Sequence, residues 1–265
     1  MTVMKPLRIG IALTLFVAAF GVVGGPLAGL QAPNQPARPT QQSVTEDLSG
    51  GRSYTFTIAR NLPVFEFKLI PDVQPPDQSG NAESTIRDIE VYRGDSKRAF
   101  QHLTGCDLDE MEPPGRGAEF FTAEDVNFDG YKDIFLETGY GATGNESGCV
   151  WIFNPVTGGF DYSKEFSGLV RFWLDPSTKR ILTYERGGMM GFVYGAGIYA
   201  VLGNRPVLIR SESQDWDDQR KQFHCTVKRR SGSDMIVVRD VWGKNGEDDA
   251  PCDPSLLFKQ FPPQQ

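Results

Sequence analysis

The chain has 265 residues, with 27 Lys and Arg against 34 Asp and Glu, a net charge of −7 and 11% aromatic residues. That length suits one large all-β domain or two smaller ones, and the aromatics can fill a sizeable core. The acidic balance argues against a nucleic-acid partner and against binding to an anionic membrane surface, and favours a cationic partner.

The chain opens "MTVMKPLRIGIALTLFVAAFGVVGGPLAGLQA": Lys5 and Arg8 precede an apolar run from Ile9 to Val23, and small residues follow. This is the three-part pattern of a secretory signal over residues 1–30, with cleavage expected between Gly24 and Ala32. No charge falls between Arg8 and Arg38, so the same segment can span a bilayer if it stays uncleaved, the one route to a membrane in this reading. Leu30 stands where a lipoprotein would carry its lipidated cysteine, so lipidation is not expected. Loss of Lys5 and Arg8 would take the net charge from −7 to −9.

Residues 31–52, rich in Pro, Gln and Ser, read as a flexible linker. Residues 53–261 read as a single all-β domain. "YTFTIA" and "VFEFKLI" alternate with period two, placing Phe65, Phe67 and Leu69 on one face. Short runs follow: "RDIEVY", "RAFQHL", "AEFFTA", "DIFLET", "CVWIFN", "VRFWL", "RILTYE", "GIYAVL", "PVLIRS", "FHCTVK" and "DMIVVRDVW". Turn-forming residues separate most of them, and no helical period is sustained. "WIFNPVTGGF" at 151–160 and "FWLDPSTKRI" at 172–181 share an aromatic strand, then Asn or Asp, Pro, one residue and Thr. Proline pre-sets the turn and the Asn or Asp before it caps the reversal. The expected architecture is an antiparallel meander forming a small propeller-like or sandwich domain.

Export changes the meaning of Cys106, Cys149, Cys225 and Cys252. In an oxidising compartment these four imply two disulfides, for which sequence allows three connectivities. The preferred pairs are Cys225–Cys252, closing a hairpin and its tail, and Cys106–Cys149, bracketing an acidic loop. No CxxC pair accompanies the two histidines, His102 and His224, which argues against zinc.

That acidic loop is "EDVNFDGYKD" at 124–133. Asp125, Asn127, Asp129 and Asp133 occupy positions one, three, five and nine, Tyr131 offers its main-chain carbonyl at seven, and Gly130 permits a sharp turn. An all-oxygen set at alternate positions is what Ca²⁺ takes. Position twelve is Leu136, not Glu, and strand-like segments flank the loop, so it is not an EF-hand. The alternative is an Asx-rich turn without metal. The calcium reading assigns the ion a structural role.

"TGYGATGNESGC" at 138–149 reads as a long Gly-rich loop after that site. Held by the ion and by Cys149, it would present Tyr140, Gly141, Thr143, Asn145, Ser147 and Gly148 to a partner; a plain surface linker would look similar. No G-x-S-x-G is present, and no pair among the 34 acidic residues stands out as catalytic. No catalytic residue is assigned and the chain is not expected to be an enzyme.

The run from "EDVNFDGYKDIFLETGYGATGNESGCVWIFNPVTGGF" to "RPVLIRSES" resembles a family of bacterial exported proteins, over roughly residues 85–213. Its D-x-N-x-D-G-x-x-D loop is similar to the calcium loops of FG-GAP-type propeller repeats. Some family members are immunity proteins of antibacterial type IV secretion systems that inhibit lysozyme-like toxins, with folds related to periplasmic inhibitors of invertebrate-type lysozyme. The resemblance implies Ca²⁺ on Asp125, Asn127, Asp129, Tyr131 and Asp133, and an inhibitory loop around Ser147 and Gly148. In this chain Tyr140 precedes that pair and Cys149 follows it. The expected function is therefore a periplasmic inhibitor occluding the cleft of a lysozyme-like peptidoglycan hydrolase. The alternative is a calcium-stabilised envelope module that binds glycan or acts as a scaffold.

Overall fold

A computed structural model describes residues 43–46, 51–73, 84–108, 120–170, 172–243 and Cys252. The expected leader at 1–30 lies outside these residues, as does most of the 31–52 segment. The described chain forms three antiparallel sheets, each a meander whose spatial order follows the sequence. The first sheet holds β1 (Ser43–Glu46), β2 (Arg52–Phe56), β3 (Phe65–Val73), β4 (Ser84–Arg93) and β5 (Gln101–His102). The second holds β6 (Phe121–Glu124), β7 (Asp133–Tyr140), β8 (Glu146–Asn154) and β9 (Gly159–Tyr162). The third holds β10 (Phe172–Asp175), β11 (Arg180–Arg186), β12 (Tyr194–Leu202), β13 (Arg205–Asp217), β14 (Gln222–Ser231) and β15 (Asp234–Gly243).

The second sheet explains the architecture. Strands buried on one face alternate polar and apolar residues, whereas strands covered on both faces read as continuous apolar runs. "CVWIF" in β8 is such a run, and every one of its residues is buried. Alternate side chains serve different cores. Ile134, Leu136, Trp151 and Phe153 pack with Tyr54, Phe65, Phe67, Ile89 and Val91 of the first sheet. Phe135, Val150 and Ile152 pack with Phe172 and Ile181 of the third. The fold is thus an all-β sandwich of three layers, not a propeller. Offset and edge-on ring pairs hold the first interface, including Phe67 with Phe160 at 5.3 Å and Tyr54 with Phe121 at 5.0 Å. Phe135 meets Phe172 edge-on at 5.4 Å across the second.

A short helix, α1 (Lys164–Ser167), plugs the second interface. The hydroxyl of Ser163 accepts the Phe166 N–H at 3.3 Å, and Phe166 is fully buried. On the opposite face of the third sheet, Trp173, Leu182, Tyr184 and Ile198 gather with Cys225, Val227 and Cys252 into a separate core.

Both Asn/Asp-Pro turns form as the sequence predicts. The Asn154 side-chain oxygen accepts from Val156 N at 3.0 Å, and the Asp175 carboxylate accepts from Ser177 N at 3.0 Å. The linker expectation needs correction at its C-terminal end, where β1 pairs Ser43 with Thr55 and Glu46 with Arg52. Four residues carry too little alternation to stand out beside the Pro- and Gln-rich stretch before them.

Candidate functional site

The chain turns from β6 into β7 through the acidic segment, and the turn satisfies itself with main-chain donors. Asp125 accepts from Asp129 N at 3.0 Å and from Gly130 N at 2.9 Å. The Asn127 side-chain oxygen accepts from Asp129 N at 3.1 Å, and Asp129 accepts from Tyr131 N at 2.9 Å. Gly130 sits at φ +94° with open space where a Cβ would be, so its role is conformational. Asp133 is wholly buried; one oxygen accepts from Val126 N at 2.8 Å and Asn127 N at 3.3 Å, the other from Phe153 N of β8 at 2.8 Å.

The turn also joins the three layers. Lys132 N donates to Ile58 O, just past β2, at 3.0 Å. Asn127 Nδ2 donates to Asn204 Oδ1 in the β12–β13 turn at 3.2 Å, and Lys179 Nζ in the β10–β11 turn donates to Phe128 O at 3.3 Å. Val126 and Phe128 insert into the core between the second and third sheets. The Tyr131 ring stacks on Phe153 at 5.2 Å, committing its side chain to the core and leaving only its main-chain carbonyl as a donor to an ion. Lys179, Asn204 and Ile58 carry no local sequence signal for this role; only the topology brings them here.

Burial pushes the Asp133 carboxyl up to about 8, against the opposing pull of its main-chain donors. Burial also raises Asp125, with Asp129 adding to it and the Gly130 and Asp129 N–H groups opposing. Asp125, Asp129 and Asp133 do not bring one oxygen each within 4.8 Å of one another. Their carboxylates, the Asn127 amide and the Tyr131 carbonyl nevertheless form an all-oxygen set, and each oxygen that accepts one N–H retains a lone pair for a cation. The donor chemistry is of the kind a hard divalent ion takes, and the oxygens are spread wider than a closed coordination shell.

The segment expected as a long loop is mostly strand. β7 runs to Tyr140 and β8 begins at Glu146, with Gly139 opposite Ser147 and Tyr140 opposite Glu146 across a bulge. Only 141–145 form the turn, closed by Gly141 N to Asn145 O at 2.9 Å and Gly144 N to Gly141 O at 2.8 Å. Glycine and small polar residues imitate a loop in sequence; here they continue the β7–β8 ladder.

Two of the expected partner-facing residues have internal tasks. Asn145 Nδ2 donates to Arg186 O at 2.9 Å and its Oδ1 accepts from Arg186 N at 2.7 Å, tying the turn to the end of β11. Gly148 is buried, and a Cβ there would meet the Phe135 ring at 2.4 Å and Leu136 O at 2.7 Å. Gly141 and Thr143 are exposed at the tip, and exposed Ser147 shares a hydrogen bond with Thr138 at 3.0 Å. The backbone of Tyr140 belongs to β7.

Both preferred disulfides are present. Cys106–Cys149 fastens the base of this hairpin to the segment after β5, and Cys225–Cys252 holds Cys252 to β14. Two disulfides fit an exported protein. Among the described residues no helix is long and apolar enough to cross a membrane.

No protein-family profile matches the chain, and no curated protein matches it. Among solved structures, the chain has a distant likeness to a Xanthomonas type IV secretion system related protein. The two are 16% identical, the likeness covers 75% of this chain and 86% of the other, and the TM-score is 0.40.

Proposed function

We propose that this protein is an exported inhibitor of a lysozyme-like peptidoglycan hydrolase and that the 141–145 turn enters the enzyme's cleft. The observation that carries the reading is the anchoring of an exposed tip from three directions. The β7–β8 ladder, the Cys106–Cys149 bond and the paired Asn145–Arg186 hydrogen bonds all converge on it. Anchoring before binding removes most of the ordering entropy that a loop would otherwise lose in a complex. Thr143 at the exposed tip and Ser147 on the arm offer hydroxyls to a carboxylate-lined cleft. The net charge of −7 favours encounter with a basic enzyme.

In this reading Ca²⁺ binds Asp125, Asn127, Asp129, the Tyr131 carbonyl and Asp133. It supplies positive charge beside a buried carboxylate at the point where the three layers meet. The chain's own residues set the geometry there, through Asp133 on Phe153 N and Asn127 on Asn204.

Binding is tested by calorimetry against a panel of purified lysozyme-type hydrolases, with sedimentation of the protein on insoluble peptidoglycan alongside. A stoichiometric enzyme complex weakened by Thr143→Arg supports the proposal. Sedimentation with peptidoglycan and no enzyme complex assigns a glycan-binding module instead.

A further inference from the structure

The outer face of the first sheet carries a second cluster of ligand-type side chains, independent of the hairpin and the acidic turn. Ile89 and Val91 of β4 point into the core, so Asp88, Glu90 and Tyr92 share the outer face. The edge strand β5 places His102 directly opposite Glu90. His102 Nδ1 lies 2.7 Å from Asp88 Oδ2, and one ligand atom from each of Asp88, Glu90 and His102 lies within 4.8 Å of the other two.

We propose that Asp88, Glu90 and His102 bind a divalent transition-metal ion of the zinc class. One imidazole nitrogen with two carboxylates selects zinc, nickel or copper over calcium and magnesium, which prefer oxygen alone. Three protein ligands leave the fourth tetrahedral position open to water. Ligand atoms bound to zinc at about 2.0–2.2 Å stand roughly 3.3–3.6 Å apart, so the His102–Asp88 contact at 2.7 Å must open by about 0.6–0.9 Å to admit the ion. Side-chain exposures of 54% at His102 and 30% at Asp88 allow the remaining adjustment.

The surroundings suit a cation. Tyr92 Oη donates to Glu90 Oε2 at 2.5 Å, which orients that carboxylate and leaves its other oxygen to an ion. The nearby ammonium, Lys68, is turned to Glu66 at 3.8 Å and to the Tyr92 ring at 4.5 Å. The site needs no cysteine pair, because β4 and β5 bring two acids and a histidine together across a ladder. The ion would clip a two-residue edge strand to the sheet, four positions before Cys106.

Calorimetric titration of the purified protein with zinc chloride in a non-chelating buffer, with cobalt absorption as the spectroscopic readout, tests the site. The chain has two histidines, so His224→Ala is the internal control. One equivalent of zinc is expected, weakened at least tenfold by His102→Ala and by Glu90→Gln, and about tenfold by Tyr92→Phe. His224→Ala should bind as the wild type does. Equal zinc binding by wild type and His102→Ala, or no binding by the wild type, overturns the proposal.

Discussion

The side chains of Asn127 and Asn204, 77 positions apart in sequence, meet at 3.2 Å and join the acidic turn of the middle sheet to the β12–β13 turn of the third. Asn204 has φ +60°, a conformation that glycine adopts without strain. Asn204→Gly therefore removes the hydrogen bond without distorting the turn. It should lower stability by about 1 kcal/mol, and the melting temperature by roughly 2–4 °C. Thermal unfolding followed by circular dichroism checks it.

Asp133 predicts a pH dependence whose sign depends on calcium. Its carboxyl lies at about 8 in the fold against an ordinary 3.8, so between those values the folded state holds a proton that the unfolded chain has released. In chelator, this group's contribution is fully present below about 4 and is lost as pH rises toward 8. Saturating Ca²⁺ should hold the carboxylate ionised, reversing the trend so that stability falls on acidification. Asp133→Asn should weaken both dependences, leaving the part that comes from Asp125, which burial also raises. Melting temperatures across that range, in chelator and in calcium, decide it.

Gly148 is fixed by packing, because the Leu136 carbonyl that a Cβ would strike at 2.7 Å is main chain and has little room to move. Gly148→Ala should cost about 1–3 kcal/mol in urea unfolding. Asn145→Ala, which removes both hydrogen bonds to Arg186, should cost about 1–2 kcal/mol. Thr143→Arg, at the exposed tip, should stay within about 0.5 kcal/mol of wild type.

Replacing Cys106 and Cys149 by serine opens a cross-link over 43 positions and should cost about 4 kcal/mol. The Cys225–Cys252 bond spans 27 positions, and its loss should cost slightly less. Only the first variant should also speed amide exchange at Gly139 and Ser147, because only that bond fastens the hairpin.

Much of this fold was legible in the sequence, since each alternating or aromatic run from "YTFTIA" to "DMIVVRDVW" coincides with or overlaps a strand. The two Pro turns and both disulfides were legible as well. The short elements β1, β9 and α1 were not. β9 hides within "TGGFDY", where paired glycines imitate a continuing turn, and α1 is too short to show a period. The run "CVWIF" reads in sequence as one strand among many, and only the assembled layers show that both of its faces are covered. The tasks of Asn145 and Gly148 depend on Arg186 and Phe135, partners that local pattern cannot supply. The grouping of Asp88, Glu90 and His102 likewise depends on strand register.

The most direct test of the central claim is the rate at which purified peptidoglycan is cleared by lysozyme-type hydrolases, with wild-type protein or with Thr143→Arg. The account predicts dose-dependent protection by the wild type against at least one enzyme, reduced at least tenfold by Thr143→Arg at unchanged melting temperature. Undiminished clearing across the panel at molar excess of the wild type, or equal protection by the variant, would contradict it.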